Sequence, residues 1–270
     1  MVATDLDPRF TFDSFIVGPA NRLAAAAARR VADAPGTSYN PLFIYSSSGL
    51  GKSHILNGIA HYAARVHPGY GVLYRAVESF LNELTDAIQE GTEGELRASY
   101  EELDILLLDD VQFFTGQKEA QEMLLRLLDG MSKSGGQVVL ASDRPPAEIN
   151  GLDERLITRF SGGLIVDIAL PEYETKVAIL RRKAEERGQK FEAGVAEALA
   201  KHQFKSVREL AGALNKILAI QELEGRQVEA GEIETLAGLQ QEEVSEGPIA
   251  GQQLLDEFGS FMAEFSNTVA

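Results

Sequence analysis

Residues 46–54 read SSSGLGKSH. Gly51, Lys52 and Ser53 match the second half of the phosphate-binding pattern G-x-x-x-x-G-K-[ST], but Ser46 stands where the pattern places its first glycine. The apolar run PLFIY (41–45) precedes the stretch, and a helical pattern over about 53–66 follows it. Strand, loop and helix in that order are the setting in which backbone N–H groups converge on a phosphate at the positive end of a helix. Gly49, Leu50, Gly51 and Lys52 would supply those N–H groups. The Lys52 ammonium would bridge the β- and γ-phosphates, and the Ser53 hydroxyl would ligate Mg²⁺. A side chain at Gly51 would collide with the phosphate. Ser46 lies at the loop entrance, where a serine is expected to add strain without removing a phosphate ligand. A plain Ser/Gly turn explains the loop if it is taken without its context.

Outward from the loop, four more apolar runs read as buried strands: GVLYRA (71–76), DILLLD (104–109), QVVLAS (137–142) and GLIVDIAL (163–170). Their hydrophobicity is continuous rather than alternating, as a strand covered on both faces requires, so the sheet is expected to be parallel. Helical patterns over about 19–33, 53–66, 78–90 and 118–133 lie between the runs. Residues 1–171 therefore read as a layered α/β domain. After Pro171 the patterns are helical alone, at 172–187, 191–203, 206–223 and 230–238, which predicts a small helical domain over 172–240. Residues 241–270 carry six acids and no Lys or Arg, and form a linker around Pro248 and Gly251. Leu254, Leu255, Phe258, Phe261, Met262 and Phe265 then make one apolar stripe at helical spacing, more commonly a helix packed on its own domain or on a copy of itself than a docking point for a protein partner, which is the alternative at this acidic tail.

Composition bounds the function. There is no cysteine, so disulfides and thiolate metal sites are excluded. No apolar run approaches the ~20 residues of a membrane span, and MVATDLDPRF has no signal-peptide pattern. A cytoplasmic chain is expected, with no membrane partner. The formal net charge of −16 sets a low expectation for gripping a nucleic-acid backbone.

Two further strand ends carry polar groups. In ILLLDDVQ, Asp109 would hold Mg²⁺ and Asp110 would orient the attacking water; in LASD, Ser142 and Asp143 stand where a polar sensor would see a γ-phosphate. A charged turn at a strand end explains "DD" on its own. Three strand ends with the expected group carry more weight, because ligands of such sheets bind at the carboxyl ends of strands. Arg159, between the fourth and fifth strands, would reach a neighbour's γ-phosphate as an arginine finger. Ser206 and Glu209 form an S-x-x-E capping box, which puts Arg208 in a first helical turn, where a cation is slightly unfavourable without an anionic partner. For either arginine alone, a surface salt bridge is the commoner explanation.

These pieces in this order resemble the AAA+ family, and within it the DnaA-like ATPases. The resemblance runs from about Phe10 to Leu239 through FTFDSFIVGPANRLA, YNPLFIY, GLGKSH, DILLLDDVQFF, QVVLASDRPPAEI, DERLITRFSGGLIVDI, ETKVAILRRKAEERG and SVRELAGAL. It implies an AAA+ P-loop fold with a five-stranded parallel sheet sandwiched by helices and an all-helical lid. It implies ATP or ADP with Mg²⁺, and an adenine-side pocket near Val17, Gly18 and Asn21. Lys52, Ser53 and the adjoining His54 fall with the phosphates, Asp109 and Asp110 with Walker B, and Asp143 with sensor 1. Arg159 becomes the finger toward another copy or another AAA+ subunit, and Arg208 becomes sensor 2 in the lid. The implied activity is slow ATP hydrolysis coupled to assembly, in replication initiation or its regulation. The alternative is a non-catalytic scaffold that recruits a protein partner.

Four departures qualify the resemblance. Ser46 replaces a glycine, and the chain has no tryptophan after the finger. The helical insertion before Walker B has five glutamates between Glu90 and Glu102 against Arg97 alone, a field that repels single-stranded DNA. No basic helix-turn-helix follows the lid, so origin recognition by this chain is not expected.

Overall fold

The computed structural model describes residues 6–237. The expected 241–270 linker and apolar stripe lie outside them. Five strands form one all-parallel sheet: β1 (Leu42–Tyr45), β2 (Val72–Ala76), β3 (Ile105–Asp109), β4 (Gln137–Ser142) and β5 (Leu164–Asp167). Their spatial order is β2-β3-β4-β1-β5. Successive side chains of a strand point to opposite faces, and both faces are buried. Leu42, Ile44, Ile105, Leu107, Val139 and Ala141 pack with α1 (Arg22–Asp33) and α2 (Lys52–Val66). Phe43, Leu106, Leu108, Val138 and Leu140 pack instead under α3 (Val77–Glu90), α4 (Glu93–Glu101), α5 (Lys118–Ser134) and α6 (Glu154–Ser161). Each fully buried Leu, Ile or Phe contributes about 1.5–3 kcal/mol, so this sandwich supplies most of the driving force.

A third, purely helical core joins Leu180 of α7 (Tyr173–Glu185), Leu199 of α8 (Val195–Ala200), Leu214 and Ile217 of α9 (Val207–Glu224), and Ile233 of α10 (Ile233–Ala237). None of the described helices is long and apolar enough to cross a membrane.

The element boundaries differ from the sequence pattern for local reasons. The helix expected from 19 begins at Arg22, because the Asn21 side chain bonds backward to Gly18 N–H (2.9 Å) and Ile16 C=O (3.0 Å). β5 stops at Asp167: Ile168 N–H still reaches Tyr45 C=O, but Ala169 N–H turns away to Ala20 C=O. The helix expected over 191–203 shrinks to Val195–Ala200 behind the left-handed Gly194.

α6 carries Arg159, and its start is fixed by an acidic cap. Asp153 Oδ1 accepts from Arg155 N–H at 2.8 Å, and the Arg155 guanidinium closes on both carboxylate oxygens. These bonds hold the Asp153 carboxyl down at about 2, against an ordinary 3.8. The folded value is depressed, so the cap's contribution is complete above pH 3.8 and is lost as pH falls through about 2. A carboxyl ¹³C titration of Asp153 should show its midpoint near 2; a midpoint at the ordinary value would mean that the fork is open in solution.

Candidate functional site

β3, β4 and β1 are neighbours in the sheet, and their carboxyl ends meet at one rim. Tyr45 pairs with Ser142, and Leu108 with Leu140, so the strands end within about a residue of one another. Ser46 N–H donates to Ser142 C=O at 3.2 Å, tying the loop entrance to the end of β4.

The loop from Ser46 to Gly51 uses glycine at two positions of positive φ, Gly49 (+81°) and Gly51 (+109°). Ser46 is not at positive φ; among the described residues only Tyr39 and Asp110 combine a side chain with that conformation. The expected strain at Ser46 is therefore absent: its backbone takes a conformation open to any residue. Its carbonyl accepts from Lys52 Nζ at 2.9 Å. A side chain at Gly51 would also meet the Phe15 ring at 3.0 Å, and one at Gly49 would meet Ser206 and Arg208 at the same distance. The space beside these glycines is taken by the chain itself. Leu50 packs into the core beneath, leaving its backbone to the loop.

Lys52 is buried, and burial pushes its ammonium below the ordinary lysine range, against the pull of Asp109, Asp110 and Asp143. Asp109 is buried too, and its carboxyl is pushed above the ordinary range, with the Ser53 hydroxyl, Tyr74 and Lys52 opposing. Tyr74 O–H donates to Asp109 Oδ2 at 3.0 Å. Each charge is held in surroundings too dry for it and only partly compensated by the other. A phosphate oxygen at Lys52 and a divalent cation between Ser53 and Asp109 would remove both deficits, so these residues fit a nucleotide with Mg²⁺. The cation would be the Lewis acid of such a site.

Asp110 sits at φ +61°, ψ +47°, left-handed, at a cost of roughly 1–2 kcal/mol for a residue with a side chain. It opens the 3₁₀ turn Val111–Phe114. Gln112 on that turn donates from Nε2 to Asp110 Oδ1 at 2.9 Å. Gln112 Oε1 accepts from Ser142 Oγ and from Asp143 N–H, each at 3.2 Å. The Asp143 carboxylate forms a two-point fork with Arg144 (2.8 and 2.9 Å), which holds it below the ordinary range.

The helical layer closes onto the loop through the start of α9. Ser206 Oγ caps Glu209 N–H at 3.1 Å, while Glu209 Oε2 accepts from Lys205 N–H, one residue upstream of the expected capping-box partner. Arg208 N–H donates to Gly49 C=O at 3.2 Å, and Arg208 Nη1 donates to Ser48 Oγ at 3.1 Å. The first-turn cation thus faces the loop.

Beside the loop lies a cavity of about 350 Å³, within the range of small-ligand sites. Phe15, Ile16, Leu50 and Ile168 give it apolar walls, and Arg182 and Lys183 of α7 give it cations. Asn21 lines it, but the bonds given above show it fixing the Ile16–Gly18 turn. Val17 turns its side chain outward, 57% exposed, and Gly18 is closely backed by Thr175. His54 also lines the cavity, but its ring is stacked on Phe10 (4.8 Å) and edge-on to Phe15, with Nε2 bonded to Thr11 C=O at 2.8 Å. It fastens the N-terminal segment to α2.

Arg159 is not at this rim. It lines a separate cavity with Pro41 and Val138, at the amino ends of β1 and β4, and pairs with Asp129 on the surface. Sequence reasoning gave no role to Tyr74 or Gln112, although Gln112 lies within the ILLLDDVQ stretch.

Residues 6–167 match the family model of the bacterial DnaA ATPase domain. The chromosomal replication initiator DnaA of Thermomicrobium roseum is 46% identical over 218 residues, covering 81% of this chain and 47% of that protein. The chain thus spans about half the length of this curated relative. Domain III of Thermotoga maritima DnaA superposes with a TM-score of 0.81 at 39% identity, over 86% of this chain and 97% of that structure. A DnaA bound to AMPPCP and single-stranded DNA superposes with a TM-score of 0.74 at 34% identity, over 82% of this chain and 70% of that one.

Proposed function

The chain belongs to the bacterial DnaA ATPase family, and on that premise we propose that it is a nucleotide switch that binds Mg-ATP, hydrolyses it slowly and assembles with itself or another AAA+ subunit. The observation that carries this reading is the buried Lys52. Its ammonium rests on Ser46 C=O at the loop floor, within the fields of Asp109, Asp110 and Asp143. A buried lysine with an incomplete set of counter-charges is the arrangement that a polyphosphate completes. Solved relatives at this identity include one bound to the ATP analogue AMPPCP.

In this reading Lys52 and the loop amides bind the β- and γ-phosphates, and the cavity beside Phe15 and Ile16 takes the base. Ser53 and Asp109 hold the metal, Asp110 orients water, and the Ser142–Asp143 strand end reports on the γ-phosphate. Arg208 exchanges its Ser48 contact for a phosphate oxygen, which links lid position to the bound nucleotide. Replication initiation or its regulation is the process this family membership favours.

Ser46 was one of the features behind the scaffold reading, and its backbone, which is not at positive φ, lends that reading no support. Contact with single-stranded DNA, made by a relative, is expected to be weak here. On α4 the Arg97 guanidinium already lies 3.5 Å from Glu101, and on β2 Arg75 is paired with Glu83 at 2.8 Å.

The direct test is a calorimetric titration of folded, nucleotide-free protein with Mg-ATP. Saturable one-to-one binding is expected. An absence of saturable heat would return the chain to the scaffold reading, with a partner sought at residues 241–270.

A further inference from the structure

We propose that Gln112 is a positioning residue: its side-chain amide fixes the Asp110 carboxylate and locks it to the carboxyl end of β4, so that the water-orienting acid and the sensor strand act as one body. This deepens the reading above and rests on Asp110 orienting the attacking water.

The chemistry of the partners makes the argument. An ionised carboxylate only accepts hydrogen bonds and a backbone N–H only donates them. A bridge from Asp110 Oδ1 to Asp143 N–H must therefore carry a donor at one end and an acceptor at the other. A primary amide has both, and only one of its two orientations satisfies both neighbours. The distances fit that orientation, with 2.9 Å from Nε2 to Asp110 and 3.2 Å from Oε1 to both Asp143 N–H and Ser142 Oγ. A carboxylate at 112 would keep the β4 end of the bridge and lose the Asp110 end.

The amide is also held from behind. Val111 and Phe114, on either side of it in the 3₁₀ turn, are fully buried. Thr115 donates to Gln112 C=O from both its N–H (3.2 Å) and its hydroxyl (2.9 Å). Among the described residues, the carboxylate of the left-handed Asp110 accepts its hydrogen bond from Gln112. Binding of the γ-phosphate at the end of β4 would then be felt at Asp110 through a single side chain.

Two variants separate the ends of the bridge. Gln112→Met removes both, and Gln112→Glu removes the donor to Asp110 while keeping an acceptor for β4. In the nucleotide-free protein, hydrogen exchange at the Asp143 amide should quicken at least ~10-fold in Gln112→Met and stay within ~3-fold of wild type in Gln112→Glu. With saturating Mg-ATP, single-turnover hydrolysis should fall at least ~30-fold in both, while the dissociation constant for Mg-ATP stays within ~3-fold. Hydrolysis within ~3-fold of wild type in both variants would reduce Gln112 to a structural clip. Equal protection of the Asp143 amide in all three proteins would show that the bridge is not formed. A wild-type protein that binds Mg-ATP but completes no turnover would overturn the role of Asp110, and the proposal with it; unaltered turnover in the variants overturns the proposal alone.

Discussion

Replacing Lys52 with alanine is expected to weaken Mg-ATP binding at least ~100-fold, about 2.8 kcal/mol, leaving no saturable binding in the micromolar range. The ammonium is the cation at the floor of the loop. Without it, Asp109 and Asp110 face an incoming polyphosphate without the ammonium's field, while Arg144 is already forked to Asp143 and Arg208 approaches from the start of α9. Repulsion is then added to the lost attraction, and both act in surroundings drier than bulk water.

The fold should tolerate the change. Burial already disfavours the charged form of Lys52, so its removal lifts a desolvation cost while freeing the Ser46 carbonyl from its 2.9 Å bond. The melting temperature without nucleotide is expected to stay within a few degrees of wild type. The stabilisation that Mg-ATP gives wild type by mass action should disappear. Retained micromolar affinity in a folded Lys52→Ala protein would mean that the phosphates bind elsewhere.

The sheet was largely legible because its physics is local. A strand covered on both faces must be apolar at every position, and LFIY and ILLL announce themselves without reference to anything distant. The loop was legible for the same reason, since its order of strand, glycines and helix is written along the chain. The roles of individual side chains were less so. His54 follows Ser53 in sequence, but a helix turns about 100° per residue, and the ring ends against Phe10 and Phe15 as a fastening for the N-terminal segment. Asn21 stands in a motif that resemblance ties to the base, yet its amide is spent on Gly18 and Ile16. Gln112 was beyond reach because its meaning lies in Ser142 and Asp143, 30 and 31 residues away, which only the parallel pairing of β3 and β4 brings near. The doubt over Ser46 had a similar source: a consensus glycine implies positive φ only if the backbone needs it, and here the requirement falls on Gly49 and Gly51.

Arg159→Ala is expected to leave Mg-ATP affinity within ~3-fold of wild type while raising the concentration needed for ATP-dependent assembly at least ~10-fold. The geometry dictates the split. Arg159 shares its cavity with Pro41 and Val138 at the amino ends of β1 and β4, whereas Lys52, Asp109 and Ser142 stand at the carboxyl ends. From Val138 to Ser142, the end of β4, is four residues, about 13 Å at roughly 3.3 Å per residue, farther than an arginine side chain extends. Arg159 therefore has no path to the phosphates of its own chain, and any such contact must be with a neighbour's. Its present partner does not hold it firmly: both side chains of the Arg159–Asp129 pair are about half exposed, at 52% and 45%. An ion pair of that kind is worth about 0–1 kcal/mol and yields readily to a more highly charged phosphate. Asp129→Asn is the matched control, since it frees the guanidinium without deleting it and should assemble with ATP at least as readily as wild type. Sedimentation of the three proteins with ATP and with ADP reads both effects at once. Unchanged assembly by Arg159→Ala would leave the arginine as one half of a surface ion pair and move the search for the subunit contact to another face.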